Sequence, residues 1–532
     1  MKISRFSLFT LAFLLSASIP SATSASGSTN FLKCFQLKLK TNLSISNSSS
    51  GVVFTPSTSS YSSILQSPAQ NLRFTTNDTP KPEFIIRPLD TSHIQAAVTC
   101  AKESNINIRT RSGGHDYEGV SYVSHIPFIV VDLSNLRSIQ VDVENNFAWV
   151  DSGATLGELY HAIAEKTNIY GFPAGTCPTV GVGGHFSGGG MGTLFRKYGL
   201  AADNIDDARM VDAKGRALNR KSMGEGPFWA IRGGGGASFG IITSWKVKLV
   251  PVPTTVTVFN IQRTLEQGAT KLVQKWQSIG STFSKDVFIR LVMGATYSAS
   301  GNNKTILVQF AAVYLGPRAQ LLTMMNESFP ELGVQQSDCI EMSWIQSVLY
   351  GAGFPFAGSK DVLLNRTNPN KSYFKAKSDY VKKPMSEAGL EGLWKILIEE
   401  ESGYMIWTPY GGIMSEIPVS QIPFPHRNGN LFEIQYMVTW QASNGAEEPV
   451  NWIRSLYSYM AAFVSSNPRS AYLNYRDLDL GVNSNQNESY EQASAWGLKY
   501  FDSNFKRLAQ IKAQVDPSNF FWYEQSIPLL LS

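Results

Sequence analysis

The residues with the clearest chemical potential are glycines that lie beside a histidine and a cysteine. His115 follows the sequence Arg-Ser-Gly-Gly, Cys177 stands in the glycine-rich segment 176–192, and a second such segment spans 231–241. Glycine lets the backbone approach phosphate oxygens closely and adopt a positive φ. Taken singly, each segment is equally well read as a set of tight turns, and His115 as a structural residue. Around a pyrophosphate, however, the turn from Arg111 to Gly114 would supply a tight loop of backbone donors.

The spacing of these glycines excludes several familiar sites. The chain has neither the Gly-x-Gly-x-x-Gly of a Rossmann turn nor the Gly-x-x-x-x-Gly-Lys-Ser/Thr of a nucleotide triphosphatase. The stretch from Gly236 to Gly240 matches Gly-x-Ser-x-Gly, but strand-like sequence follows it and His426 is the sole histidine downstream, which argues against a serine hydrolase. The six histidines show no zinc-binding spacing, so we predict no catalytic metal.

A large fold must position these residues. At about 150 residues per domain, the chain of 532 residues corresponds to two large domains or one big one. Its composition, 43% hydrophobic and 16% charged, excludes disordered, collagenous and coiled-coil proteins. The chain opens as β-α-β, with a strand at 83–87 and a helix at 91–104, and longer strands alternate with helices such as 268–279 beyond Pro253. The pattern predicts an α+β protein with a domain seam at 251–253.

The N-terminus resembles a secretory signal peptide. Lys2 and Arg5 precede an apolar stretch from Phe6 to Ile19, and small residues follow up to Ala25. Because this stretch is shorter than the roughly 20 residues that a spanning helix needs, we predict a cleaved signal at 1–25, no membrane association and a secreted protein. Eight Asn-x-Ser/Thr sequons fit a secreted glycoprotein. They lie at Asn42, Asn47, Asn77, Asn303, Asn326, Asn365, Asn370 and Asn487.

The charge and the cysteines narrow the function further. The net charge of +5 falls to +3 without the two cations of the leader, which is too small to indicate nucleic-acid binding. The four cysteines form no Cys-x-x-Cys motif and allow three pairings. Cys34 and Cys100 lie upstream of the glycine-rich region in helix-compatible sequence, so we predict that they pair. Cys177 and Cys339 then need another explanation.

Read together, three segments resemble one enzyme family. They are RSGGHDYEG, PAGTCPTVGVGGHFSGGGMGTLFRKYGLAADNI and WAIRGGGGASFGI, and they closely resemble the berberine bridge enzyme-like family of plant flavoproteins, in the vanillyl-alcohol oxidase class of FAD oxidoreductases. The resemblance continues through NPRSAYLNYRDLDLG and AWGLKYFDSNFKRLAQIKAQVDPSNFFWYEQSIP and includes the Cys34/Cys100 pair. It therefore covers essentially the whole mature chain.

The resemblance implies a two-domain, vanillyl-alcohol oxidase-like α+β fold. We expect an FAD-binding domain at 26–252, with a PCMH-type core at about 78–252, and a substrate domain at 253–470 whose large antiparallel sheet is covered by helices. The C-terminal segment 471–532 would return to the FAD domain.

The resemblance also implies FAD held by two covalent bonds. His115 would bond to the 8α-methyl carbon of the flavin and Cys177 to the 6-position of its ring, which would explain a cysteine without a partner. Both positions of the oxidised flavin are electrophilic, and a neutral imidazole and a thiolate are suitable nucleophiles. The turns 111–114 and 179–184 would wrap the pyrophosphate. The expected cofactor-binding residues are Arg111, Ser112, Gly113, Gly114, His115, Cys177, Thr179, Val180, Gly181, Gly184 and Tyr475.

Removal of a hydride from a hydroxylated carbon needs a base for the hydroxyl proton. The family resemblance gives this role to Tyr475, and a nearby cation or donor must support it because a tyrosine is a poor base at neutral pH. Tyr472 lies three positions earlier, and in a regular strand the two side chains would point to opposite faces. Tyr117 matches an aromatic residue near the substrate. In the strand 432–440 the alternation places Gln435 on a polar face that meets substrate.

Departures from the family pattern limit the choice of substrate. Gln435 stands where the alkaloid-cyclising namesake has a glutamate base, which argues against that reaction. Glu433 stands where the monolignol-oxidising branch has a lysine, and would raise the pKa of Tyr475 if close. Met191 replaces a common aromatic residue. Val180 matches a position that lines the oxygen pocket, where a small side chain favours an oxidase over a dehydrogenase.

These observations predict a secreted, bicovalent FAD oxidase that acts on an alcohol or a sugar hemiacetal and reduces oxygen to hydrogen peroxide. The expected small-molecule substrate is a carbohydrate or an aromatic allylic alcohol, and we expect a monomer. Two alternatives stay open. One is a cyclase of specialised metabolism, oxidative or a non-redox cycloaddition catalyst, and the other is a binding or allergen-like protein with a structural flavin.

Overall fold

The computed structural model of the protein describes residues 22–39, 51–298, 301 and 303–530, with side chains from Gly27 onward. Most of the predicted signal peptide and the sequons at Asn42 and Asn47 lie outside these residues. None of the described helices is long and apolar enough to cross a membrane. Six sequon asparagines lie within the described part, and all are exposed. They are Asn77, Asn303, Asn326, Asn365, Asn370 and Asn487.

The N-terminal half contains two sheets of four and five strands and a short two-stranded pair. The four-stranded sheet has the order β1-β2-β4-β3, with β2 and β3 parallel to β4, and is formed by β1 (Val53–Phe54), β2 (Phe84–Ile86), β3 (Asn107–Arg111) and β4 (Phe128–Asp132). The five-stranded antiparallel sheet has the order β5-β6-β10-β8-β9 and is formed by β5 (Ile139–Asp142), β6 (Phe147–Asp151), β8 (Ile205–Val211), β9 (Ala217–Leu218) and β10 (Ile241–Lys248). The pair consists of β7 (Tyr170–Gly171) and β11 (Val250–Pro251).

A seven-stranded antiparallel sheet dominates the second half, in the order β15-β12-β14-β13-β17-β18-β16. Its strands are β12 (Val256–Thr264), β13 (Val287–Tyr297), β14 (Lys304–Tyr314), β15 (Ile340–Met342), β16 (Tyr373–Val381), β17 (Gly403–Pro409) and β18 (Phe432–Trp440). Alternate side chains divide the sheet between a helix-covered core and an open face. Ile434, Tyr436 and Val438 of β18 pack into that core, whereas Gln435 and Met437 face the opposite way.

Fifteen α-helices are present in the described residues. They are α1 (Ala22–Leu39), α2 (Tyr61–Gln66), α3 (Thr91–Glu103), α4 (Leu156–Lys166), α5 (Val182–Ser187), α6 (Phe195–Tyr198), α7 (Arg220–Met223), α8 (Glu225–Ile231), α9 (Ala269–Ile279), α10 (Arg318–Ser328), α11 (Trp344–Gly351), α12 (Glu387–Leu397), α13 (Glu447–Met460), α14 (Tyr490–Phe501) and α15 (Asn504–Val515). Helices and mixed sheets together confirm the predicted α+β fold class.

Local sequence explains the helices that precede the site. The side chain of Asp90 accepts hydrogen bonds from the backbone of Ser92 and His93 and caps α3. Thr155 and Glu158 form a capping box at the start of α4. These caps fix where each chain segment leaves its sheet and enters a helix.

The C-terminal segment packs back onto the N-terminal half. The ammonium group of Lys512 is fully buried, donates to the carbonyl of Ser238 at 2.7 Å and pairs with Asp516 at 2.7 Å. The amide of Ile527 donates to the hydroxyl of Ser238 at 3.1 Å. The last sixty residues, whose elements the sequence did not reveal, therefore help to close the first domain.

The predicted disulfide between Cys34 and Cys100 is present and joins α1 to α3, with the two Cα atoms 5.6 Å apart. Glu103 lies close to both sulfurs, but the two cysteines are consumed by the bridge. We expect the Cys34→Ser/Cys100→Ser variant to lose about 2–5 kcal/mol of unfolding free energy, because the bridge closes a loop of 66 residues. Urea unfolding against the wild type measures this loss. The buried, free Cys339 gives a control, since Cys339→Ser leaves the bridge intact.

Candidate active site

A cavity of about 660 Å³ lies between the glycine-rich turns of the N-terminal half and the open face of the seven-stranded sheet. This volume is in the range of small-molecule and cofactor sites. Most residues singled out in the sequence line this one cavity. They are Ser112, Gly113, Gly114, His115, Tyr117, Cys177, Val180, Gly181, Gly184, Gln435 and Tyr475.

Arg111 and Thr179 do not line the cavity. The guanidinium of Arg111 is fully buried, pairs with Asp132 and donates to the carbonyls of Ile64 and Leu65. The Arg111 side chain therefore holds the turn from behind, and the predicted cofactor contact of this residue would have to come from its backbone. Thr179 contacts the cavity only through His115, because its hydroxyl lies within hydrogen-bond distance of that ring.

The two glycine turns touch each other directly. A Cβ on Gly113 would lie 2.3 Å from the amide nitrogen of Gly181, and a Cβ on Gly181 would lie 2.3 Å from that of Gly113. Any side chain at either position would force the turns apart. Gly114 adopts a φ of +74°, a conformation that glycine accepts without strain.

These turns fit a phosphate-bearing cofactor. Within the described residues, the backbone amides of Gly113, Gly114 and Gly184 donate to no protein acceptor, so they are free to bind phosphate oxygens. Gly184 lies on the cavity wall, and a Cβ added there would meet nothing within 4 Å, so a side chain would take up space that the glycine leaves open. The cradle, together with the nucleophiles beside it, fits FAD as the family resemblance implies.

His115 has the protonation state that a nucleophile needs. Burial lowers the pKa of its imidazole to about 4, so the ring is neutral at physiological pH. Its Nε2 lies 3.0 Å from the hydroxyl of Thr179. No hydrogen bond engages Nδ1 within the described residues, so Nδ1 is the ring nitrogen available for reaction.

Cys177 is a free cysteine whose side chain is accessible in the cavity wall. The surrounding protein raises the pKa of its thiol, and the nearby Arg290 only partly opposes this effect. The resting side chain is therefore a thiol, and the thiolate expected as the nucleophile would have to be formed from it. Reaction requires that a base or a higher pH first remove the proton.

Tyr117 and Tyr475 form a stacked pair in the cavity. Their ring centroids lie 5.6 Å apart and the rings are nearly parallel, at 6°. The amide nitrogen of Gln435 donates to the hydroxyl of Tyr117 at 2.8 Å, and the edge of Phe374 packs against Tyr117 with the centroids 5.2 Å apart. The three polar groups chosen from sequence as catalytic are thus brought together.

The structure contradicts the expected geometry of Tyr472 and Tyr475. Residues Leu473–Tyr475 form a 3₁₀ turn rather than a strand, and residues three apart eclipse each other in a 3₁₀ turn. The two rings consequently lie side by side, with centroids 4.9 Å apart. The hydroxyl of Tyr472 accepts a hydrogen bond from the amide of Gly190 at 2.9 Å, which connects the glycine-rich segment 176–192 to the C-terminal segment.

Arg290 is a site residue that the sequence analysis missed. It lies on β13, lines the cavity and is within electrostatic range of Cys177 and Tyr475. No hydrogen bond or ion pair engages its guanidinium among the described residues. A signal was available, because Arg290 is the lone charge in the apolar run 287–293 and faces away from the core. It is a cation close enough to Tyr475 to interact with it, of the kind that a tyrosine base would need.

Burial raises the pKa of Tyr475 well above its usual value, and Glu433 adds to this effect. Glu433 lies on the same face of β18 as Gln435, but it is fully buried and does not line the cavity. Within the described residues its carboxylate oxygens lack a well-formed hydrogen bond. Burial and the nearby Asp379 raise its pKa well above the usual value. Met191 does line the cavity, and its sulfur accepts a hydrogen bond from Tyr410 at 3.4 Å.

A buried ionic cluster stands behind the tyrosine pair and was also missed. Lys375 of β16 contacts Glu118 and lies 2.7 Å from Asp477. Lys377 lies 2.6 Å from Asp477 and 2.9 Å from Asp479. Glu118 adjoins Tyr117 in the chain, and Asp477 lies two residues after Tyr475. Lys375 therefore connects the two segments that carry the stacked tyrosines.

Comparisons of the sequence with known proteins also indicate an FAD-binding protein. Residues 82–220 match the family described as FAD binding domain, and residues 471–528 match the family described as berberine and berberine like. The chain is 52% identical over 517 residues to berberine bridge enzyme-like 24 of Arabidopsis thaliana, covering 96% of this chain and 94% of the relative. It is 50% identical over 528 residues to tetrahydroberberine oxidase of Berberis wilsoniae, covering 98% of each.

Solved structures of proteins described as a glucose dehydrogenase and a glucose oxidase also superpose on this chain. The wild-type protein Phl p 4.0202, described as a glucose dehydrogenase, superposes with a TM-score of 0.88 at 45% identity, covering 94% of this chain and 100% of the other. An isoleucine-to-valine variant of Phl p 4, described as a glucose oxidase, superposes with the same score, identity and coverage.

Proposed function

The chain belongs to the berberine bridge enzyme-like family of FAD-linked oxidoreductases, and we propose that it is a secreted oxidase with doubly tethered FAD. It would remove a hydride from an alcohol or a sugar hemiacetal and reduce oxygen to hydrogen peroxide. The observation that carries this proposal is the meeting of His115, Cys177 and Tyr475 at one cavity, with a cradle of free glycine amides beside the histidine and the cysteine. Bound FAD would supply the acceptor for the hydride and pass the electrons to oxygen.

The roles of the side chains follow from their surroundings. The neutral Nδ1 of His115 and the sulfur of Cys177 would hold the cofactor at two points. Tyr475 would accept the proton of the substrate hydroxyl, supported by the guanidinium of Arg290, which is cationic at neutral pH. Tyr117 accepts a hydrogen bond from Gln435, so its own hydroxyl hydrogen would be available to donate to the substrate oxygen.

Several features support oxygen as the electron acceptor and secretion of the protein. Val180 lines the cavity with a small side chain, and in Phl p 4 a change from isoleucine to valine accompanies the description as an oxidase rather than a dehydrogenase. The leader, the Cys34–Cys100 disulfide and six exposed sequon asparagines support secretion as a glycoprotein. We propose a sugar hemiacetal or an aromatic alcohol as substrate, and a monomeric enzyme.

The tether is tested by acid precipitation of the purified holoenzyme. We expect the flavin absorbance to stay with the precipitate in the wild type and in His115→Ala and Cys177→Ala, because one bond remains in each single variant. The double variant should release its flavin to the supernatant. Cys339→Ala removes the other free cysteine and should behave as the wild type. Release of flavin from the wild type would refute covalent attachment.

The same preparation then tests the reaction with a panel of sugars and cinnamyl alcohols. Flavin bleaching by one class, with hydrogen peroxide formed as oxygen is admitted, would support the oxidase. Conversion of a substrate without bleaching and without peroxide would instead support the cyclase alternative.

We expect the covalent bond between Cys177 and FAD to form faster as the pH rises. Only the thiolate reacts, and the raised pKa of this thiol leaves little of it at neutral pH. In His115→Ala, which has Cys177 as its sole tether, the rate at which added FAD becomes acid-stable measures the effect. Arg290→Met should slow the reaction at a given pH, whereas Arg290→Lys keeps the charge and should slow it less. A rate independent of pH would contradict this assignment.

A further inference from the structure

We infer that an N-linked glycan on Asn370 stands at the mouth of the active-site cavity and limits the size of the substrates that enter. The inference rests on the secretion proposed above. Asn370 begins the sequon Asn-Lys-Ser, is exposed, and is at the same time one of the residues that line the cavity. Of the six exposed sequon asparagines, it alone has this second property within the described residues.

One wall of the cavity leads from the tyrosine pair to this asparagine. Phe374 packs edge-on against Tyr117 and is buried, Ser372 is half-buried, and Asn370 is exposed. All three line the cavity at alternate positions of the chain. The increase in exposure along this series shows that Asn370 lies where the wall meets solvent.

The segment that carries Asn370 is fastened to the N-terminal half. Arg366 pairs with Glu158 at 2.6 Å, the amide of Asn368 donates to Gln70 at 3.0 Å, and the ammonium group of Lys371 donates to the carbonyl of Ser67. These contacts lie on both sides of Asn370 in the chain. A glycan attached there would be held at the mouth rather than carried away by a mobile loop.

The side chain of Asn370 is free to carry a sugar. Its carboxamide makes no hydrogen bond within the described residues, while its backbone amide donates to the side chain of Asn368 at 2.9 Å. Transfer forms a bond between the side-chain nitrogen of Asn370 and the anomeric carbon of a lipid-linked oligosaccharide. The bond from that carbon to the lipid diphosphate breaks, its electron pair leaves with the diphosphate, and the nitrogen gives up one of its two protons. The product is a branched, hydrated group far larger than any amino-acid side chain.

Such a group should discriminate by size rather than by chemistry. A monosaccharide or a single aromatic alcohol would pass beside it, whereas a longer oligosaccharide would meet it before reaching Tyr117. Asn370 thereby becomes a determinant of substrate length that acts from outside the chemical site.

Occupancy is tested first, on full-length holoenzyme produced through a eukaryotic secretory pathway. Glycan release by an amidase in ¹⁸O-water marks each occupied asparagine, and mass spectrometry of the peptides reads the label. We expect Asn370 to be marked. An unmarked Asn370 beside marked Asn77 and Asn326 would overturn this inference but leave secretion standing, and a chain with no marked sequon would overturn both.

Access is tested without a known substrate, using reduced methyl viologen and the same viologen linked to maltohexaose as reductants of the flavin. We expect the rate with the linked reductant, relative to the free one, to rise several-fold in Asn370→Gln and in endoglycosidase-treated wild type. The same treatment should change the Asn370→Gln variant no further. Asn326→Gln, on the exposed face of α10, is the matched control and should leave the ratio unchanged. An occupied Asn370 whose removal leaves the ratio unchanged would refute the role in access.

Discussion

Replacement of Tyr475 with Phe is expected to lower kcat by about 10²- to 10⁴-fold, the range found for loss of a general acid or base. The substitution removes one hydroxyl and keeps the ring that stacks on Tyr117, so the cavity should keep its shape. Single-turnover reduction of the flavin by an active substrate measures the chemical step directly. The fall should be greatest in this step, and KM should change little.

The pH dependence identifies the role of this hydroxyl. Burial raises the pKa of Tyr475 well above its usual value, so the phenolate fraction, and with it the wild-type rate, should increase with pH through the neutral and alkaline range. Tyr475→Phe should lose this increase. Tyr459→Phe is a suitable control, because its hydroxyl donates to the carbonyl of Gly389 on the helix-covered side of the sheet. A loss in kcat of less than about tenfold for Tyr475→Phe would assign the base to another group.

Replacement of Lys375 with Met should lower the free energy of unfolding by about 3–5 kcal/mol, because it removes the buried cation that lies between several buried carboxylates. The side chain of Lys375 is 3% exposed, and its two nearest partners, Glu118 and Asp477, are 5% and 2% exposed. The variant should retain little activity even below its unfolding transition, since the segments of Tyr117 and Tyr475 lose their common anchor. Denaturant unfolding and flavin reduction rates, measured on the same sample, separate the two effects.

Arg454→Met provides the matched control for that prediction. Arg454 pairs with Asp479 at 2.8 Å in the same cluster, but its side chain is 53% exposed. An exposed ion pair contributes about 0–1 kcal/mol, so this variant should be nearly as stable as the wild type. Equal losses in the two variants would show that burial does not set the strength of these contacts.

The sequence predicted the parts of the site that carry a local pattern. The glycine turns, His115 and Cys177 are recognisable because the glycines lie beside the two nucleophiles within short segments of the chain. The alternation of side chains in β18 correctly separated its core face from its cavity face. The position of the Arg111 side chain could not be predicted, because nothing in the chain next to it reveals Asp132, its buried partner on a neighbouring strand.

Other elements depend on contacts between distant segments. Strand β16 is hard to recognise because Lys375 and Lys377 break its apolar pattern, and their burial is tolerated only because Asp477 arrives from about a hundred residues away. The turn that brings Tyr472 beside Tyr475 is likewise set by its neighbours, since Tyr472 is held by Gly190. Such tertiary contacts override the strand geometry that the local sequence suggested.

The return of the C-terminal segment to the first domain has a consequence for the order of events during synthesis. The cradle for the cofactor emerges early from the ribosome, but Tyr475, Asp477 and the contacts of Lys512 are among the last parts of the chain to be made. Until the C-terminal segment is made, the nascent chain has the glycine cradle of the site but lacks the part of the cavity wall that Tyr475 forms. Binding of FAD in a finished cavity would therefore be a maturation step that follows release of the chain.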